Sequence, residues 1–232
     1  MARAALVVVD VQRDFCPGGS LAVEHGDDVV PGLNRAIRAF EKAGLPIFFT
    51  RDWHPPDHCS FRGQGGKWPP HCVKGTRGAR FHPDLIVPRG STVISKATER
   101  DFEAYSAFQG TDLADRLRQA TVAEVFLGGL ATDYCVKESC FDALANGFAV
   151  DLMEDCAKGV NLQEDDSALA LDEMAARGAR LITSAEAVRF CQRAAKSTSR
   201  RVAPRAPRAS NRMACSQGRM QRWSTGQRSR SP

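Results

Sequence analysis

Unbroken apolar runs alternate along the chain with segments whose apolar positions recur every three to four residues. Ala5-Leu6-Val7-Val8-Val9-Asp10 is β-branched and free of polar residues until its end, the pattern of a strand buried on both faces. Across residues 28–44, Val29, Leu33, Ile37 and Phe40 recur at helical spacing, and Gly44 suits a C-terminal cap. Further strands are predicted at 46–50, 92–96, 124–128, 148–153 and 180–182, and further helices at 112–120, 134–146 and 163–177. Thr183, with Glu186 three residues later, reads as a capping box opening a last short helix that ends near Gln192. This alternation predicts an α/β fold: a three-layer αβα arrangement around a mostly parallel, six-stranded sheet.

Composition adds a boundary. The chain carries a net charge of +5, but residues 193–232 hold ten Arg, one Lys and no acid, which is +11 and leaves −6 for residues 1–192. An acidic body of one domain, residues 1–192, is therefore expected to carry a basic tail, residues 193–232, with too little apolar surface to order itself beyond about residue 196. No apolar run approaches the roughly 18 residues that a membrane span needs. The N-terminal residues show no signal-peptide pattern, so the cytoplasm is the expected compartment. There, eight cysteines read as thiols, metal ligands or a nucleophile rather than a disulfide framework.

In parallel sheets, chemistry collects at the carboxyl ends of the strands. Asp10, Asp52, Lys96 and the turn Gly128–Cys135 all fall there. A cysteine where a strand turns into a helix is either a small core residue or a nucleophile whose pKa the helix N-terminus lowers. Asp10 is placed to accept its proton, and Lys96 to offset negative charge on both, so the trio reads as catalytic.

A Gly/Pro-rich stretch, residues 52–82, holds four of the five histidines. Asp52 and His54 point to one side of an extended segment, and His71 follows later. Two imidazoles and a carboxylate suit a divalent transition metal with open positions. Solvent-facing histidines, or a closed zinc site built from His58, Cys59, His71 and Cys72, are the other readings.

The segments VVVDVQRDFCPGGSLAV, TRDWHPPDHCSF, WPPHCVKGTRGA, ISKATERDFEAYSAF and GGLATDYCVKESCFDAL resemble those of the nicotinamidases (pyrazinamidases) of the isochorismatase-like cysteine hydrolase superfamily, over residues 5–190. The resemblance implies Asp10, Lys96 and Cys135 as the catalytic triad and Asp52, His54 and His71 as ligands of one zinc, iron or manganese ion. It implies Phe15, Trp68 and Tyr105 as aromatics around the substrate ring. A cis peptide at Leu130–Ala131 is implied too, with the N–H groups of Ala131 and Cys135 as the oxyanion hole. The implied activity is metal-dependent hydrolysis of nicotinamide, and of pyrazinamide, through a thioester in NAD salvage. The expected partner is a small aromatic amide, with no membrane and a possible homo-oligomer. Another amidohydrolase of the same superfamily is the alternative, though it has no need of the metal loop. Nucleic-acid binding is a different-class alternative that rests on the Arg-rich tail alone.

Overall fold

Strand β1 (Arg3–Val9) is the centre of the molecule, and its side chains divide between two cores. Leu6 and Val8 point to one face of the sheet, Ala5, Val7 and Val9 to the other, and all five are fully buried. Burying each Leu or Val side chain contributes about 1.5–3 kcal/mol. The computed structural model describes residues 3–202, with side chains as far as Lys196. Helix α1 (Val29–Ala43) and helix α5 (Ser184–Val202) belong to the first face, where Leu33, Ile37, Phe40 and Ala187 pack. Helices α2 (Leu113–Gln119), α3 (Lys137–Ala145) and α4 (Asp166–Ala176) cover the second through Leu117, Ala143 and Met174.

The other strands are β2 (Ile47–Asp52), β3 (Thr92–Lys96), β4 (Val122–Leu130), β5 (Ala149–Lys158) and β6 (Arg180–Ile182). They form one six-stranded sheet in the order β3-β2-β1-β4-β5-β6, and every ladder is parallel. The three-layer expectation holds, and the sheet is wholly rather than mostly parallel. The chain builds outward from β1 to β3, then returns to β1's other side as β4. This reversal opens a crevice at the carboxyl ends of β1 and β4.

Several boundaries differ from expectation: α4 starts at Asp166 rather than 163, β4 extends two residues further at each end, and three other differences bear on the site or the tail. Strand β5 continues past Met153 to Lys158, helped by a register shift in its ladder with β4 between Leu127 and Gly129. The helix expected to start at Tyr134 is a π-helical turn, Thr132–Val136, that runs into α3. Helix α5 passes the expected stop at Gln192 and reaches Val202. The capping box at its start is present: Glu186 Oε2 accepts the Thr183 N–H at 2.8 Å, and Thr183 Oγ1 accepts the Glu186 N–H at 3.3 Å. Residues 196–202, expected to lack order, form the end of α5, and the basic segment beyond Val202, with the expectations made for it, lies outside the described residues. No described helix is long and apolar enough to cross a membrane.

The stretch between β2 and β3 is folded against the sheet's carboxyl edge by isolated bridges, Gln12 with Phe81, His54 with Val73 and Phe61 with Trp68. These bridges carry Trp68 and His71 to the crevice.

Candidate active site

Asp10 follows β1 with a positive φ of 47°, which a non-glycine residue adopts only at a cost. That turn sends its carboxylate into the crevice. The Thr50 hydroxyl donates to Asp10 Oδ1 at 2.7 Å, and Lys96 Nζ lies 3.1 Å from Oδ2. Lys96 ends β3, in register with Asp52 at the end of β2, and the two side chains form a close ion pair. The same ammonium donates to the Ala104 carbonyl at 3.0 Å and to Cys135 Sγ at 3.5 Å. Cys135 arrives from β4 through Gly129, whose φ is 137° and where a Cβ would overlap the Val9 backbone. Only glycine lets β4 end this close to β1. The ligating atoms of Asp10, Asp52 and Cys135 lie within 4.8 Å of one another.

Burial dominates the electrostatics. It opposes charge on Lys96, but Asp10 and Asp52 outweigh it and hold the ammonium well above its ordinary pKa. Burial raises the Asp10 carboxyl, with Lys96 offsetting part of the effect. Burial also works to raise Asp52, but Lys96 and His54 prevail and keep it below the usual carboxylate range. Burial pushes the Cys135 thiol well above its ordinary value, and Lys96 only partly opposes this. The lowered thiol pKa expected from a helix N-terminus is therefore corrected. Cys135 sits inside a buried π-helical turn beside two carboxylates, and desolvation outweighs the helix dipole. As a nucleophile this thiol would need a base, and Asp10 Oδ2 is a buried oxygen with no aligned hydrogen bond of its own.

Beside this cluster lie Asp52, His54 and His71, whose ligating atoms are also within 4.8 Å of one another. His54 Nδ1 faces the Ala97 carbonyl at 3.2 Å, and His71 Nδ1 faces the Pro69 carbonyl at 2.8 Å. A backbone carbonyl accepts only from N–H, so each ring keeps its proton on Nδ1 and turns an Nε2 lone pair toward the shared space. His54 Nε2 is buried without a hydrogen-bond partner, 3.6 Å from Asp52 Oδ2. An orphaned lone pair beside a carboxylate and a second imidazole fits a divalent transition metal. The closed site of His58, Cys59, His71 and Cys72 is ruled out. His58 spends both ring nitrogens on Ser60 Oγ, at 2.7 Å, and the Phe102 carbonyl, at 3.1 Å. Neither Cys59 nor Cys72 joins a cluster of ligating atoms among the described residues.

Phe15, Trp68 and Tyr105 line a cleft together with Asp52, His71, Ala131 and Cys135. Trp68 Nε1 donates to the Tyr105 hydroxyl at 3.0 Å, which fixes both rings, and Phe15 packs on His71 with ring centroids 5.5 Å apart. The Leu130–Ala131 peptide is cis. The residues expected to form the triad, the three-ligand metal site and the aromatic wall thus gather at one crevice. Leu21, Glu103, Tyr134 and Val160 also line the cleft and were not singled out. For Tyr134 a signal was available, since it directly precedes the candidate nucleophile. Gln12 was missed as well: its amide donates to the Asp52 carbonyl at 2.8 Å and accepts the Asp52 N–H at 2.8 Å, locking that strand end.

Residues 4–186 match the isochorismatase domain family. The chain is 41% identical to the nicotinamidase of Escherichia coli over 80% of its own length and 97% of that protein's. Among solved structures, the pyrazinamidase of Pyrococcus horikoshii in complex with zinc superposes with a TM-score of 0.75 at 49% identity, covering 78% of this chain and 99% of that one. PnC1 of L. infantum in complex with nicotinate superposes with a TM-score of 0.72 at 35% identity, covering 79% and 94%.

Proposed function

The chain belongs to the isochorismatase family, and from that premise we propose that it is a metal-dependent nicotinamidase, hydrolysing nicotinamide to nicotinate and ammonia. The observation that carries this reading is the meeting of two clusters in one aromatic cleft: Asp10, Lys96 and Cys135, and beside them Asp52, His54 and His71.

In the proposed reaction Asp10 takes the Cys135 thiol proton, and the sulfur attacks the carboxamide carbon. The burial that raises the Asp10 carboxyl makes it a stronger base than an exposed aspartate. The N–H groups of Ala131 and Cys135 hold the tetrahedral oxyanion. Asp10 returns its proton to the leaving nitrogen, the C–N bond breaks and ammonia departs. Water then attacks the thioester with Asp10 again as base, releasing the acid and restoring the thiol. Lys96 stays charged throughout and offsets the negative charge that moves between Asp10 and the sulfur. Phe15, Trp68 and Tyr105 sandwich the ring. Asp52, His54 and His71 would hold a zinc, iron or manganese ion, which when bound would supply a Lewis-acid position able to orient a ring nitrogen.

Pyrazinamide, which shares the ring nitrogen and the amide, is a second expected substrate. We read the enzyme as a cytoplasmic member of NAD salvage, and possession of seven described cysteines that are all free thiols suits a reducing compartment. The domain is taken as residues 1–192, and the Arg-rich segment as an addition without a part in the chemistry. Ammonia release from nicotinamide by the purified protein, with and without chelator, tests the reading. No release at any metal loading overturns it.

A further inference from the structure

Two carboxylates, Asp52 and Glu103, stand in the cleft wall, and Lys96 is paired to Asp52. Asp10 is buried beside Asp52. In the reaction proposed above, a neutral amide enters and an anionic acid leaves. At the rim stands Lys67, whose ammonium is tied to the aromatic wall in three ways. It donates to the Tyr134 hydroxyl at 2.7 Å, and it lies 4.6 Å from the ring centre of Trp68 and 5.0 Å from that of Tyr134. Trp68 and Tyr134 both line the cleft.

The backbone beneath this side chain is fixed. Arg62 N–H donates to the Trp68 carbonyl at 2.7 Å, and Trp68 N–H to the Ser60 carbonyl at 2.9 Å. Arg62 Nε donates to the Lys67 carbonyl at 3.3 Å. A lysine chain left in solvent spreads over many rotamers, whereas contacts with two ring faces and a phenol oxygen gather its charge at one place.

We propose that Lys67 is a specificity-determining residue, raising the affinity of the cleft for the anionic acid product relative to the neutral amide. The proposal rests on the nicotinamidase reading. A rim cation draws an anion toward the cleft, whereas it acts on a neutral amide only through weak dipole forces. At a separation of about 8 Å in a half-solvated setting the attraction amounts to about a three- to tenfold change in binding. Salt screens it, since the Debye length falls from about 10 Å at 0.1 M to about 3 Å at 1 M.

The test measures nicotinate and nicotinamide binding by calorimetry in the full chain carrying Cys135→Ala, which removes turnover from the comparison. The readout is the ratio of the nicotinate Kd to the nicotinamide Kd. Lys67→Met is expected to raise that ratio about three- to tenfold at low salt, Lys67→Glu to raise it further and Lys67→Arg to restore it. Raising salt to about 1 M is expected to shrink the differences. An unchanged ratio overturns the proposal. So do both affinities weakening together, which marks Lys67 as a mere prop for the aromatic wall, and failure of either ligand to bind. Ammonia release by the unmodified protein is assayed separately: its absence sinks the nicotinamidase reading, and its presence with an unchanged ratio sinks only the role of Lys67.

Discussion

Asp52 and Lys96 are register partners across β2 and β3, and their side chains close an ion pair at the buried ends of those strands. One side of this pair faces Cys135 and Asp10, and the other faces His54 and His71. The proposed catalytic trio and the proposed metal ligands therefore share one charge network.

Removing the cation should be costly. Lys96→Met leaves the buried carboxylates of Asp10 and Asp52 unpaired, which is expected to destabilise the metal-free protein by about 3–5 kcal/mol in denaturant unfolding. The pH dependence has a definite sign. Burial already raises the Asp10 carboxyl, and the variant loses the Lys96 attraction that opposes burial. A carboxyl raised by folding contributes stability below its unfolded value and loses it as pH rises through the folded value. The variant's deficit should therefore grow as pH rises from the ordinary carboxylate value of about 4 through the raised folded value. A deficit that shrinks over that range contradicts the assignment.

Cys135→Ala should lower turnover by at least about a thousandfold while nicotinamide still binds. Asp10→Asn should be similarly slow, since an amide cannot accept the thiol proton. Cys59→Ser, at a site outside the cleft, serves as the control with activity near that of the parent. Activity of Cys135→Ala within about tenfold of the parent rules out the nucleophile.

The same cysteine should rest as a thiol. Burial and the neighbouring carboxylates raise it, and Lys96 only partly compensates. Subtracting the ultraviolet spectrum of Cys135→Ala from that of the metal-free parent should show no thiolate band near neutral pH. The band should emerge only as pH climbs beyond the ordinary thiol range. A full band at neutral pH would mean that the turn, not Asp10, activates the sulfur.

The candidate strand ends were legible because an apolar run gives way there to an ionisable residue: Val9 directly to Asp10, and Val93–Ile94, across Ser95, to Lys96. Their convergence also followed from parallel-sheet topology. The thiol's electrostatics did not, because a linear reading sees the helix start but not the burial around it. The second half of β5 was hidden by Glu154 and Asp155, polar residues that the ladder with β4 tolerates after its register shift. Helix α5 ran on because no Gly or Pro interrupts residues 193–202, and Pro204 is the first breaker after its start. Gln12 and Lys67 carried no signal. Their roles come from partners far along the chain, Asp52 and Tyr134.

The last expectation concerns the metal. Asp52, His54 and His71 would supply three ligands, and the orphaned His54 Nε2 faces the space they share. A site with three protein ligands keeps positions open, whereas a structural zinc site is closed by four. If an open position reads the pyridine nitrogen, discrimination should follow the metal. Benzamide keeps the ring shape and the amide but lacks that nitrogen. The metal-loaded enzyme should therefore prefer nicotinamide over benzamide by about a hundredfold or more in kcat/KM, the scale of a lost specific polar contact in a buried site. Chelation or His54→Ala should shrink that preference while the melting transition persists, because the two sheet cores are built from other residues. The measurement is kcat/KM for both amides in loaded and stripped protein, alongside a thermal melt. Equal discrimination in both forms would show that the ring nitrogen is read elsewhere in the cleft. Loss of the folded state on stripping would instead assign the ion a structural role.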